Sequence, residues 1–322
     1  MRSRAVLVSG FLAISALAGT GCAQATSSTV TIVAVGDIAW KANGGQVATA
    51  KLTKALKPND VVLMGDIAYG TKTGAGYAAA SKSDFTTKFV PSWGSVLSAY
   101  STWAVPGNHE FNSDASQSPG YSYLLSTYTS LPKTGNDFWW VKNATAKWVV
   151  IGLDSEGLND SHGVNGLSAK GIRQVAFLRS ALSANANKYV IVTWHRPRYS
   201  KGEHGNQTDA GVTALWNEVK ASSNVKIALW GHDHNYERVA RTATDGHTIT
   251  TFTVGTGGAE LRNCPSHTNS SVRPTSFVCG TTNNYGVLKL TLTPTSYAWN
   301  FLRTSKTVST GTKIDWGSRA VQ

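Results

Sequence analysis

Short apolar runs recur along this chain of 322 residues, and several break off on a polar residue of metal-binding type. TIVAVGD ends on Asp37, VVLMGD on Asp66 and WAVPGNH on Asn108 and His109, while YVIVTWH ends on His195 and VKIALWGHDH on His232 and His234. Runs as continuously apolar as these read as strands buried on both faces. Helical spacing lies between them: Ala48, Leu52, Ala55 and Leu56 share one face, as do Ile172, Val175, Leu178 and Leu182, and Val212, Leu215, Trp216 and Val219. Strands alternating with amphipathic helices predict an α/β fold. Two stretches differ, DFWWVKNATAKWVVIGLDS and the segment from Ile249 to Phe301, where Gly, Asn and Thr turns separate strand-like runs. They predict antiparallel pairs, so that the sheets are mixed. The Gly-, Ser-, Asn- and Thr-rich segments Gly70 to Lys82, Asn112 to Gly120, Asp154 to Ser168 and Leu261 to Ser276 read as loops over strand ends, where substrate entrances are usually built. With no repeat and no Pro-rich or charged linker, residues 26–322 read as a single domain.

Composition narrows the class. Hydrophobic residues make up 41% and charged residues 15%, which excludes both a disordered chain and a multi-span membrane protein. The net charge of +12 suggests an anionic partner, either nucleic acid, acidic lipid, wall polymer or a phosphorylated substrate. The basic residues are scattered singly, so there is no specific nucleic-acid motif. Two of them, Arg2 and Arg4, precede an apolar stretch from Ala5 to Ala18 and the tripeptide Ala23-Gln24-Ala25, the pattern of a secretory signal over residues 1–25. No stretch reaches the roughly 18 apolar residues of a transmembrane span. The expected location is extracellular, or periplasmic and lipid-anchored if Cys22 is acylated; Gly19 stands where such a signal usually has Leu. In an exported protein Cys264 and Cys279 are most simply a disulfide, stabilising their loop by about 3 kcal/mol, with a metal site through Cys264 and His267 as the alternative.

The strand ends carry the chemistry. In α/β sheets ligands gather beyond the carboxyl ends of strands, where loops converge on a rigid scaffold. Carboxylate and amide oxygens mixed with imidazole nitrogens suit Zn, Fe and Mn rather than the all-oxygen shell of calcium. The number of donors fits two ions, since one carboxylate can bridge cations about 3.5–4 Å apart. Any one of these residues has a structural explanation: an Asp after Gly is commonly a turn residue, and a lone His commonly packs. Asp154 ends VVIGLD in the same style and has no assigned role, so the case rests on the joint pattern.

Taken together, Gly36-Asp37, GDIAY from Gly65 to Tyr69, GNHE from Gly107 to Glu110, His195 and GHDHNYER from Gly231 to Arg238 resemble the calcineurin-like metallophosphoesterase superfamily. The purple acid phosphatase branch is the nearer likeness, because Ala39 stands where other branches carry a His after the first Asp, and Tyr69 follows Asp66 by three residues. The resemblance runs from Thr29 to about Arg303 and includes the GTGGA segment at Gly255 to Ala259. It implies a four-layer α/β/β/α sandwich of two mixed sheets with a binuclear metal site. It further implies Fe(III) at Asp37, Tyr69 and His234, a bridging Asp66, and Zn, Fe or Mn as the divalent ion at Asn108, His195 and His232. The activity implied is hydrolysis of phosphate monoesters by a metal-bound hydroxide. His109 would contact the phosphate or protonate the leaving oxygen, with Glu110 orienting it. His204 stands where related enzymes have a substrate-facing His, but Gly205 follows it where some have a second His.

The remaining features keep ordinary readings. Trp139, Trp140, Trp148 and Trp299 are expected to pack in the core, Tyr236, Glu237 and Arg238 to brace the histidine loop, and His162 is given no role. Sequons stand at Asn143, Asn159, Asn206 and Asn269. Two other functions remain open at this point, a phosphodiesterase on the same core and a noncatalytic, exported envelope-binding protein.

Overall fold

A computed structural model describes residues 29–74, 76–112, 117–135, 137–262, 276–278, 285–305 and 310–321. The signal segment, Cys22, Cys264, His267, Asn269 and Cys279 lie outside the described residues. In chain order the strands and helices are β1 (Val30–Val35), α1 (Gly45–Leu56), β2 (Asp60–Met64), β3 (Lys72–Thr73), β4 (Gly76–Tyr77), α2 (Lys82–Asp84), α3 (Ser95–Ala99), β5 (Ser101–Val105), α4 (Pro119–Thr127), β6 (Trp140–Asn143), β7 (Trp148–Gly152) and β8 (Asn159–Val164). They continue as α5 (Ala169–Ala184), β9 (Tyr189–Thr193), α6 (Ala210–Ala221), β10 (Val225–Trp230), β11 (Tyr236–Thr242), β12 (Thr248–Val254), β13 (Ser276–Val278), β14 (Gly286–Leu292), β15 (Ser296–Arg303) and β16 (Thr312–Ala320). A π-helical segment, Phe85–Gly94, joins α2 to α3.

Two mixed sheets result, with orders β16-β15-β14-β1-β2-β5 and β13-β11-β12-β10-β9-β7-β6. The strands that carry the apolar runs pair in parallel, β1 with β2, β2 with β5, β7 with β9 and β9 with β10. The stretches read as turn-linked pairs are antiparallel, β6 with β7 and β14 with β15.

The side-chain alternation explains the layers. Ile32 and Ala34 of β1, Val62 and Met64 of β2, Trp148 and Val150 of β7, and Ile227 and Leu229 of β10 meet in one core between the sheets. The intervening residues of the first sheet, Val33, Val35, Val61 and Leu63, pack under α1, α4 and the π-helical segment. Those of the second, Val149, Ile151, Ala228 and Trp230, pack under α5 and α6. Strands apolar at every position are therefore the consequence of having a layer on either side, and the expected four-layer sandwich is the one observed. Trp139, Trp140, Trp148 and Trp299 are all buried. Among the described residues no helix is long and apolar enough to cross a membrane.

Helix faces were read with uneven success. Val212, Leu215, Trp216 and Val219 of α6 are buried as expected. In α1, however, Ala48 and Ala55 face solvent, and Gln46, Thr49, Ala50 and Thr53 are buried beside Leu52. Gln46 and Thr49 hold that face because they find backbone partners: Gln46 donates to the Lys41 and Lys88 carbonyls and Thr49 to the Gly257 carbonyl. In α5 Leu178 and Leu182 are buried, but Ile172 is largely exposed. The loop read from Gly70 to Lys82 contains the β3–β4 hairpin, and that from Asp154 to Ser168 contains β8.

Candidate metal centre

Each of three Gly-X pairs turns the chain sharply after a strand. Asp37, Asp66 and His232 have φ of 59°, 47° and 69°, the left-handed region that non-glycine residues rarely occupy. Such backbone outliers cost of order 1–3 kcal/mol each and gather at functional sites. The preceding glycines let the turns crowd together: a Cβ on Gly231 would stand 2.7 Å from Asp37 Oδ2, and one on Gly65 2.6 Å from His195 Nδ1. The GTGGA segment closes the group from behind, with Gly257 N donating to the Gly36 carbonyl and Ala259 N to that of Asp37.

Two clusters of donor atoms follow. In the first, the Tyr69 hydroxyl lies 3.0 Å from Asp37 Oδ1 and 3.1 Å from His234 Nε2, and that nitrogen is 3.4 Å from the same carboxylate oxygen. In the second, ligand atoms of Asp66, His195 and His232 all lie within 4.8 Å of one another. Both ring orientations are fixed from outside, His195 Nδ1 by the Met64 carbonyl at 2.8 Å and His234 Nδ1 by the Glu260 carbonyl at 2.6 Å. Their Nε2 atoms are thereby turned inward, the arrangement that metal-binding imidazoles favour. Asp66 Oδ1 accepts the His109 backbone N–H, which leaves Oδ2 facing inward, 3.2 Å from His195 Nε2.

His195 Nε2 and Asn108 Oδ1 are buried without a hydrogen-bond partner, the former close to Asp66 but out of line for a bond. Buried polar atoms are ordinarily paired, so two unpartnered donors in one cluster of carboxylates and imidazoles suit a bound cation. The seven predicted ligands therefore fit a metal centre: Asp37, Tyr69 and His234 converge, Asp66, His195 and His232 converge, and Asn108 lines the same cavity as Asp66, His232 and His234.

The electrostatics carry the same message. Burial alone would push His195 down, but the adjoining Asp66 carboxylate lifts it to about 10. Burial would raise Asp66, and His195 and His109 instead hold it well below the usual carboxylate range. Burial, helped by Asp37 and Asp66, pushes the Tyr69 phenol well above its usual value. Burial and the neighbouring His195 and Arg196 charges keep His232 neutral, the form that ligates. Buried carboxylates here need positive charge, whether a proton on an imidazole or a metal ion.

His109 rests its ring on Tyr69, with centroids 4.5 Å apart, and its Nδ1 is 3.3 Å from the Ala78 carbonyl. Glu110 accepts backbone N–H bonds from Asp66, Ile67 and Gly107, so it fixes the loops that bear Asp66 and Asn108 rather than the His109 ring. Burial and Asp66 push its carboxyl up to about 8. His204 stacks on His232 with centroids 4.2 Å apart and accepts from Arg262. Burial and Arg262 push it down to about 4. Glu237 accepts from Ser200 and from the Lys201 backbone, bracing the loop that carries His204, while Tyr236 and Arg238 instead bind Asp315 on β16. His162 is fully exposed on β8.

Around these groups opens a cavity of about 580 Å³ whose rim includes Lys72, Tyr77, Glu203, Glu260 and Arg262. Lys72, Tyr77 and Arg262 fall in two of the segments expected to line a substrate entrance, whereas Glu203 and Glu260 lie outside them.

A mixed two-sheet sandwich with this site at its strand ends defines a metallophosphoesterase, and the family profile described as calcineurin-like phosphoesterase matches residues 30–236. The chain belongs to that family. It is 30% identical over 141 residues to an Arabidopsis thaliana protein named probable inactive purple acid phosphatase 9, a match covering 42% of this chain and 19% of the relative's length. The chain thus spans about one fifth of the curated relative it matches. Among solved structures it is similar to GAP50, the anchor in the inner membrane complex of Plasmodium, with a TM-score of 0.64, 18% identity and coverage of 91% of this chain and 89% of that one. It is also similar to a dimetal phosphatase from Danio rerio, with a TM-score of 0.53, 12% identity and coverage of 85% and 96%. At these identities the likeness is one of fold.

Proposed function

We propose that this chain is an exported phosphohydrolase with two metal ions, resembling purple acid phosphatases and acting on phosphate monoesters. The observation that carries the reading is the pair of orphaned donors, His195 Nε2 and Asn108 Oδ1, set among two clusters of three donors under an open cavity. Asp37, Tyr69 and His234 would hold a ferric ion, since a phenolate suits a hard trivalent cation. Asn108, His195 and His232 would hold Zn, Fe or Mn, with Asp66 shared. When bound, the two ions supply Lewis-acid polarisation of the phosphoryl group and draw a nucleophile from water.

The chain's own residues do the rest. The Met64 and Glu260 carbonyls hold His195 and His234 in the tautomer that presents Nε2 to the site. Glu110 locks the Asp66 and Gly107 loops together, which keeps the ligands in place during turnover. His109, tethered at its backbone by Asp66 and with Nε2 3.8 Å from Asp66 Oδ2 in the cavity lining, would contact the phosphate or pass a proton to the leaving oxygen. His204 forms part of the substrate wall.

The name of the Arabidopsis relative labels that protein inactive. The reading for this chain rests on its own donors, all present. It is tested by turnover of p-nitrophenyl phosphate against bis-p-nitrophenyl phosphate by metal-replete protein. Faster monoester cleavage is expected; faster diester cleavage would make the protein a phosphodiesterase, and no cleavage of either would leave the envelope-binding function.

A further inference from the structure

The cavity over the candidate metal centre is far larger than one phosphate group, and its rim carries two cations held in different ways. Lys72 stands 60% exposed, 3.1 Å from Glu260 Oε2, which also accepts from the Tyr77 hydroxyl at 3.3 Å, so it is a solvated surface charge. Arg262 is different. Its nearest carboxylate among the described residues, Glu203, lies 3.5 Å away and is 58% exposed, a loose surface pair of the kind that contributes little. Its one close side-chain partner among the described residues is an uncharged acceptor, His204 Nε2 at 2.6 Å, and that ring is itself stacked on His232.

A guanidinium has five N–H donors in a planar fork suited to carboxylate and phosphate, and here Nη1 is anchored while the rest of the fork can turn to a ligand. The anchor fixes the charge in space: the Arg262 backbone N–H reaches the His234 carbonyl at 3.4 Å, and the preceding Glu260 carbonyl holds the His234 ring. The cation therefore stands in the cavity wall at a set position relative to the metal ligands, with room between for an organic group.

We infer that Arg262 forms a second anion subsite, and that the preferred substrates are phosphate monoesters whose leaving group carries a further anionic group of its own. The inference rests on the monoesterase reading above, and names the substrate class of that site. It needs no new chemical step, because the anionic group is bound and not transformed.

The test compares two esters that differ only there, 3-phosphoglycerate with a carboxylate and glycerol 3-phosphate with a hydroxymethyl group. Metal-replete wild type is expected to favour 3-phosphoglycerate by about tenfold in kcat/KM, as one charge-assisted contact would give. Arg262→Gln should lose that preference, mainly through KM for 3-phosphoglycerate, so that the two esters react within about twofold of one another. Arg262→Lys should recover part of it. Equal wild-type rates for the two esters, or a loss in Arg262→Gln that falls on both alike, would overturn the subsite and leave Arg262 as a support for His234. If wild type hydrolyses neither of these esters nor p-nitrophenyl phosphate, the monoesterase reading fails by itself. Calorimetric titration of 3-phosphoglycerate then decides the subsite, and equal affinity for wild type and Arg262→Gln would sink it.

Discussion

Asp66 and Asp154 make an instructive pair. Each follows an apolar strand after one intervening residue, β2 in the first case and β7 in the second, and each is buried. Asp154 is complete in itself. Lys170 donates to its Oδ2 at 2.5 Å, the Glu156 backbone donates to its Oδ1, and Gln174 makes two bonds to its main chain. Asp66 faces a buried imidazole nitrogen that has no hydrogen-bond partner, beside an equally orphaned Asn108 oxygen. Position at a strand end is common to both; what marks a metal site is the convergence of donors with nothing of the protein's own to satisfy them.

The largest test of this contrast is Asp66→Asn. Removing the shared carboxylate charge should lower kcat by about 10²–10³-fold and reduce bound metal, whereas near-normal rate and metal content would mean that the bridging residue is misassigned. Next comes Glu110→Gln, which cannot reproduce three backbone contacts with two carboxylate oxygens. It should cost about 10–100-fold in activity or metal affinity, measured by kinetics and metal titration. Tyr69→Phe is expected to abolish a visible charge-transfer band in aerobically purified protein; a persistent band would place the iron ligand elsewhere.

Lys170→Met tests the other strand end and should leave kcat per folded molecule unchanged. It strands Asp154 without its counter-ion, at a cost of about 3–5 kcal/mol at neutral pH. The pH dependence has a definite sign. Burial lifts Asp154 from its usual 3.8 to about 6 against the pull of Lys170. A raised carboxyl stabilises the fold fully below its unfolded value and loses that contribution as pH rises through about 6, so this group makes wild type more stable at pH 5 than at pH 7. The Lys170→Met deficit should shrink over the same fall in pH. Thermal midpoints measured across that range check it, and a drop in kcat as large as that of Asp66→Asn would erase the distinction between the two ends.

Much of the site was legible because its donors sit where apolar runs stop, a local pattern that survives folding. Asp37, Asp66, His195, His232 and His234 could be picked out in this way, and the alternating apolar strands announced their two covered faces. What could not be read was set by distant contacts. The buried face of α1 depends on a carbonyl at Gly257 meeting Thr49, and the rim pair Lys72–Glu260 joins residues 188 positions apart. Arg262 has no periodic or motif signature at all; its place follows from the fold of the segment that holds His234.

In the proposed function the two donor clusters bind two metal ions that together cleave phosphate monoesters. Elemental analysis of the purified protein, paired with p-nitrophenyl phosphate turnover on the same sample, tests it most directly. Two metal ions per chain, one of them iron, with monoester turnover that chelation abolishes and metal restores, is the predicted result. Protein that takes up no metal and cleaves no ester between about pH 4 and about pH 9 would contradict it.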